Sequence, residues 1–200
     1  MDANIEQKLQ AISKRLHETD DQHPELAPEF GVQQLTDAAV LLPLVYSEGE
    51  FRILFTERTQ QVRTHKGQVS FPGGSYEPQD SDLRQTALRE TWEETGIQAE
   101  NVRILGSLSS HPTPSGFRVY PFVGFVSTYT PVLSADEVHT LFTAPVQHLL
   151  DPQNMEIKEY FSYGVNYLLP FFYWQEHIIW GATGIMLKDF LALTRDIWTS

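Results

Sequence analysis

The run from Gly73-Gly74 to Gly96 constrains this 200-residue chain more than any other stretch. Glu90, Glu93 and Glu94 stand at i, i+3 and i+4, so a helix through them turns all three carboxylates to one side, where like charges repel. A solvated helix face is the ordinary reading of such a cluster. The flanks point elsewhere: a glycine pair precedes the helix, Arg89 sits beside the acids, and Gly96 stands where a left-handed residue would end the helix. A hard divalent cation takes several oxygen ligands, and Mg²⁺ is usually held by one or two carboxylates together with substrate phosphates. The pattern favours a metal site over a bare charged surface.

Composition bounds what such a site can serve. With 41% hydrophobic and 12% aromatic residues the chain reads as one globular unit with ample core. A net charge of −12 argues against a general nucleic-acid or anionic-membrane binder. More than half of the 14 Lys and Arg residues nevertheless lie between Arg52 and Arg118, the segment that holds the acidic helix. That mixture suits a metal with a phosphorylated ligand, and equally plain charge balance. The absence of cysteine removes disulfides, thiolate metal sites and cysteine nucleophiles. No basic stretch followed by an apolar one opens the chain, and no apolar run has membrane-spanning length, so a soluble cytoplasmic protein is expected.

Along the chain, Ile5, Leu9, Ile12 and Leu16 recur at helical spacing and predict an amphipathic helix over 4–17, packing or dimer surface rather than chemistry. A polar loop follows from Glu18 to Pro28. Ala38 to Tyr46 reads as a strand buried on both faces, joined by the turn Ser47-Glu48-Gly49-Glu50 to a second strand over Phe51–Thr56. The polar, basic stretch from Arg58 to Gln68 is long for a connection, and long loops in small domains are often functional. Val69-Ser70-Phe71 is a short strand, the acidic helix spans about Ser81 to Thr95, and Val102–Leu108 is a strand. Phe117–Ser127, interrupted by Pro121 and Gly124, is expected to be bent or near an edge. Leu141–Leu150 reads as a strand followed by a helical turn, Tyr167–Trp174 and His177–Trp180 as a strand pair, and Ala182–Thr194 as a closing helix. Strands mixed with helices before, between and after them give an α/β sandwich on a mixed sheet. The connectivity stays open.

The glycine pair and the run Arg89-Glu90-Thr91-Trp92-Glu93-Glu94-Thr95-Gly96-Ile97 resemble the Nudix box, the loop–helix–loop motif of Nudix hydrolases. The chain departs from that motif in carrying Asp80 where Glu is general, one residue more between Asp80 and Arg89, and Thr91 at a usually aliphatic position. Upstream, Leu54-Phe55-Thr56-Glu57-Arg58-Thr59, Arg63, Gly67 and Phe71-Pro72-Gly73-Gly74 resemble the motif that precedes the box in coenzyme A pyrophosphatases, the branch that also carries the Asp and the longer spacing. Ser115-Gly116-Phe117-Arg118-Val119, Asp136-Glu137-Val138 and Ile179-Trp180-Gly181-Ala182-Thr183 are similar to the same branch. The resemblance implies a Nudix-type α/β/α sandwich over residues 31–200, with residues 1–30 an amphipathic helix and loop of the same unit. It implies dependence on Mg²⁺ or Mn²⁺ and hydrolysis of a diphosphate. For the branch it implies cleavage of coenzyme A or its thioesters to 3′,5′-ADP and a phosphopantetheine portion. A Nudix hydrolase of ADP-ribose or a dinucleotide is the alternative. A non-catalytic nucleotide sensor on the same scaffold is disfavoured by the presence of all three box acids.

Glu90 and Glu94, one helical turn apart, are the expected metal pair, with Glu93 a third ligand or water-orienting base and the carbonyl of Gly73 or Gly74 a backbone donor. Arg89 is expected to orient a box carboxylate rather than to grip substrate. Asp80 is read as a helix N-cap at least as readily as a ligand. Glu137 is the candidate late acid, base or ligand, set against a surface role. Arg58, Arg63, Lys66 and Arg118, with Gly67, are candidates for binding the phosphates of coenzyme A, the arginines ahead of the lysine because they pair bidentately. His65 and His111 are read as incidental. The aromatic run Phe171–Trp174 is read as core before adenine platform. The expected partner is a small-molecule substrate, with no nucleic acid and no membrane, and a homodimer is possible.

Overall fold

In the computed structural model of this protein, residues 2–17, 35–58, 68–128, 138–162 and 164–199 are described. The helix α1 (Ala3–His17) leads to β1 (Thr36–Ser47), the strand around which the larger sheet is laid. Its burial is nearly continuous along 38–45, as its unbroken apolarity requires of a strand covered on both faces. A two-residue turn with positive φ at Glu48 and Gly49 returns the chain into β2 (Glu50–Arg58). β2 holds the edge of β1 only from Leu44 to Ser47. The other half of that edge goes to β4 (Gly73–Ser75), which pairs with Ala38, Ala39 and Val40. Between them β2 swings away to pair with β3 (Val69–Ser70).

After α2 (Leu83–Thr95) come β5 (Val102–Ser107), β6 (His111–Pro112) and β7 (Phe117–Val126). β7 lies parallel to β1 along ten registered pairs, from Thr36 with Phe117 to Val45 with Val126. It pairs antiparallel with β5 and β6 on its other side. Of the two alternatives, bent or near an edge, the edge is excluded, and Pro121 shows why. Leu108 N donates to Pro121 O, so that side of Pro121 faces the connection between the last β5 pair, at Phe122, and the first β6 pair, at Val119. A residue's N–H and C=O leave a strand on the same side. The missing donor thus points at a break in the ladder rather than at β1.

β8 (Val138–Pro145) pairs with β2, α3 (Val146–Leu150) follows, and the chain then builds a second, three-stranded sheet. Its strands are β9 (Met155–Ser162), β10 (Val165–Trp174) and β11 (His177–Ile179), closed by α4 (Gly181–Trp198). β9 is exposed from Glu156 to Phe161, so no alternation of burial marks it, and it is a strand that the sequence reading did not announce.

Layers follow from the parity of β1. Ala39 and Leu41 face α2 with Ala87, Tyr120 and Phe122 around them. Leu42 and Leu44 face the main cluster, where Leu9, Ile12 and Leu16 of α1 meet Leu187 and Phe190 of α4. The result is an α/β/α sandwich with a mixed sheet. The second sheet docks through buried His177, whose Nδ1 lies 3.1 Å from Glu57 Oε2 and whose ring stacks on Phe142 at 3.7 Å. Among the described residues no helix is long and apolar enough to cross a membrane.

Candidate active site

The site is assembled where β4 meets α2. Asp82 caps α2 by accepting from Gln85 N at 2.8 Å, and Gly96, at φ 74°, ends it with its amide on Trp92 O. The cap expected from Asp80 belongs to Asp82. The buried positions of α2 include Thr86, Ala87, Thr91 and Glu94. Thr91, where an aliphatic residue is usual, satisfies its hydroxyl by donating to Ala87 O at 2.6 Å and so fits the dry face of the helix.

Asp80 instead lies buried under the helix and closes a network around Arg89. Its carboxylate accepts from Arg89 Nε at 2.9 Å and Nη2 at 3.0 Å, from Thr86 Oγ1 at 2.9 Å and from the amide of Glu77 at 3.1 Å. The paired Arg89 guanidinium is the main reason why the carboxyl is held down at about 2, against the opposing effect of burial. Arg89 is in turn held protonated well above its ordinary value, first by Asp80. Its remaining nitrogen, Nη1, donates to Glu90 Oε1 at 2.9 Å and to Glu93 Oε2 at 3.1 Å, while Nη2 also reaches Ser75 O at 3.2 Å. One planar cation therefore ties the loop to two of the three box acids. With both Asp80 oxygens engaged, this residue is a fastener of the arginine and has little left to offer a metal.

The glycine pair has two separate steric reasons. A Cβ on Gly73 would lie 2.4 Å from Ala39 O and 2.6 Å from Val40 Cα, both backbone atoms of β1. A Cβ on Gly74 would lie 2.5 Å from Cδ and Oε1 of Glu90. Gly74 thus leaves the space in which the Glu90 carboxylate rests against the strand. That contact was not in the sequence reading, which gave the glycines only a carbonyl role.

Glu94, one turn on from Glu90, is 3% exposed, whereas nearly half of the Glu93 side chain is open to solvent. Among the described residues no three His, Asp or Glu side chains converge into a metal-sized cluster. The structure brings Glu90 and Glu94 to one face of α2 and turns Glu93 toward Arg89. Arg118 lies in register with Asp37 of β1, whose carbonyl accepts from Tyr76 N just beyond β4. It shares its side of β7 with Tyr120 and Phe122, the residues facing α2. The side chain of Arg58, and Arg63, His65, Lys66, Gly67 and Glu137, lie outside the described residues. His111 is engaged with Asp189 of α4 at 3.1 Å. Of the aromatic run, Phe172 is core, Phe171 stacks on Trp180, and Tyr173 interacts with Lys158 and Glu156.

Carboxylate oxygens are hard donors, so the Glu90 and Glu94 side chains on one face of α2 fit a hard divalent cation better than a softer one. A strand that opens on two glycines thus lies against an acid-bearing helix, with one arginine fixing two of the acids.

The NUDIX domain profile matches residues 35–179. A relative named uncharacterized Nudix hydrolase NudL, from Yersinia enterocolitica, is 39% identical over 152 residues, which is 76% of this chain and 77% of the relative. The NudL of Yersinia pestis is 36% identical over 76% of each. Among solved structures, a MutT NUDIX hydrolase from Burkholderia pseudomallei aligns over 78% of this chain and 98% of its own, with 18% identity and a TM-score of 0.49. The chain belongs to the Nudix hydrolase family. It is a pyrophosphohydrolase of nucleoside diphosphate derivatives, and its family generally uses divalent metal cations.

Proposed function

We infer that this enzyme cleaves the diphosphate of coenzyme A or an acyl-coenzyme A, giving 3′,5′-ADP and (acyl-)phosphopantetheine. The observation that carries the reading is the segment from Leu54 to Gly74. Its sequence resembles the coenzyme A pyrophosphatase motif, and its two ends are fastened together by pairing of Thr56 with Ser70 and Glu57 with Val69, directly before the glycine pair. In this reading Arg58 and Arg63, with Gly67, bind the substrate, and the two arginines pair with its phosphates. Arg118 adds a further guanidinium on the α2 side of the sheet.

Glu90, Glu94 and the carbonyl of Gly74 hold the cation, Mg²⁺ or Mn²⁺. When bound, that cation supplies charge neutralisation on the diphosphate oxygens and a more acidic water. Glu93, open to solvent and steadied by Arg89, takes the proton of the attacking water or completes the ligand set. Glu137 is the other candidate for that proton. Arg89 keeps Glu90 and Glu93 oriented and stays off the substrate, since its donors are committed within the chain. In the same reading α1 and residues 31–200 act as one unit in the cytoplasm. Leu9, Ile12 and Leu16 of α1, all fully buried in the main core, support the single unit.

The test is a substrate panel with and without Mg²⁺ or Mn²⁺. Coenzyme A or an acyl-coenzyme A should release 3′,5′-ADP, and chelation with EDTA should abolish the release. Ready cleavage of ADP-ribose or a dinucleotide, with no 3′,5′-ADP from any coenzyme A, would replace this reading with a different Nudix substrate.

A further inference from the structure

Among the described residues, the second sheet ends in a strand with one edge bare. β9 pairs with β10 on one side, and among the described residues nothing pairs with its other edge. Every residue from 156 to 161 is exposed. On the face where Pro170 and Phe172 are buried, the outer part of the hairpin carries Ile157, Phe161 and Leu168, the last two each 70% exposed. An open edge is a template for another strand, and charges along it normally keep other chains away. The charges of β9 are of both signs, Glu156, Lys158 and Glu159, and so do not repel every strand alike.

We propose that β9 is the docking edge for a second copy of this chain, pairing antiparallel with its counterpart across a two-fold axis at Ile157. An axis perpendicular to the sheet keeps the two sheets the same way up, so each residue meets one from its own face. That condition leaves few registers. An axis at Glu156, Lys158 or Glu159 sets like charges directly opposite each other, which is destabilising. An axis at Tyr160 forms no charge pair. With the axis at Ile157, Glu156 faces Lys158 of the partner subunit, twice by symmetry, and the two isoleucines meet at the centre. Lys158 is already held for this. Its Nζ lies 2.8 Å from Glu156 of its own chain and over the rings of Phe171 and Tyr173 at 5.5 and 5.3 Å. The ammonium is thereby kept on the face where the second carboxylate arrives. A single strand pair with its flanking side chains makes a small interface, so the dimer dissociates on dilution.

Sedimentation velocity of the full chain over a dilution series tests this, with circular dichroism and the thermal midpoint confirming that each variant is folded. The expected result is a monomer–dimer equilibrium whose dissociation constant rises about tenfold or more in Lys158→Glu. It should be lost in Ile157→Lys and restored in the double variant Glu156→Lys/Lys158→Glu. A chain that is monomeric at every concentration, as it would be if β9 receives a strand from a different protein, overturns the proposal. So does a dimer indifferent to Lys158→Glu, or a double variant that fails to recover it.

Discussion

Replacing Asp80 by Asn removes one charge from the network that sets the geometry of the acidic helix. The Asp80 side chain is 1% exposed and accepts four hydrogen bonds, two of them from Arg89. Its carboxyl is held at about 2 against an ordinary 3.8. At about 1.4 kcal/mol per unit, this favours the folded, ionised state by about 2.5 kcal/mol. Because the folded value is the lower one, the contribution is complete above the ordinary 3.8 and is lost as the pH falls through about 2. Asn keeps an acceptor but not the charge, and leaves Arg89 with only Glu90 and Glu93 for charged partners. At neutral pH the variant should be less stable by about 2–3 kcal/mol, with an unchanged denaturant slope. Urea titrations of both proteins across a pH series measure the gap. It should stay constant down to weakly acidic pH and shrink below the ordinary carboxylate value. Equal stability at neutral pH, or a gap indifferent to acid, refutes the reasoning.

Gly74→Ala should keep the fold, since the three atoms nearest the added Cβ all belong to the flexible end of the Glu90 side chain, yet lower kcat about a hundredfold by moving that carboxylate. Gly73→Ala meets backbone of β1 instead and should cost about 1–3 kcal/mol in chemical denaturation. Glu94→Gln should reduce metal-dependent turnover by about a hundredfold or more with the thermal midpoint preserved, and undiminished turnover would remove Glu94 from the metal site.

Much of this arrangement was legible because the residues around the box have few interchangeable uses. Glu90, Glu93, Glu94 and Gly96 announced helix, face and stop, and the continuous apolarity of β1 announced a central strand. What stayed hidden was decided by tertiary contact. Asp80 and Asp82 both stand where a cap could be, and only the reach of the Arg89 guanidinium back to Asp80 separates a fastener from a cap. Pro121 argued for an edge because sequence shows the missing donor but not the gap in the neighbouring ladder. β9 escaped notice because a strand exposed along its length has no core to impose alternation. Gly74 was given a carbonyl role alone because nothing in sequence reveals that Glu90 also leans on it.

The parallel union of β1 with β7 also bears on how the enzyme comes into being. Its partners stand about eighty positions apart in the chain, and loop closure of that order makes such pairing a late and slow event in folding. The acidic helix packs on β1, touches β7, and finds Glu90's resting place on β4, itself held by β1. A peptide spanning only residues 73–96 would own every box acid and still lack the wall against which they are set. On the ribosome, catalytic competence must wait until β7 has emerged and zipped alongside β1, so a nascent chain carries its active-site residues well before it carries an active site.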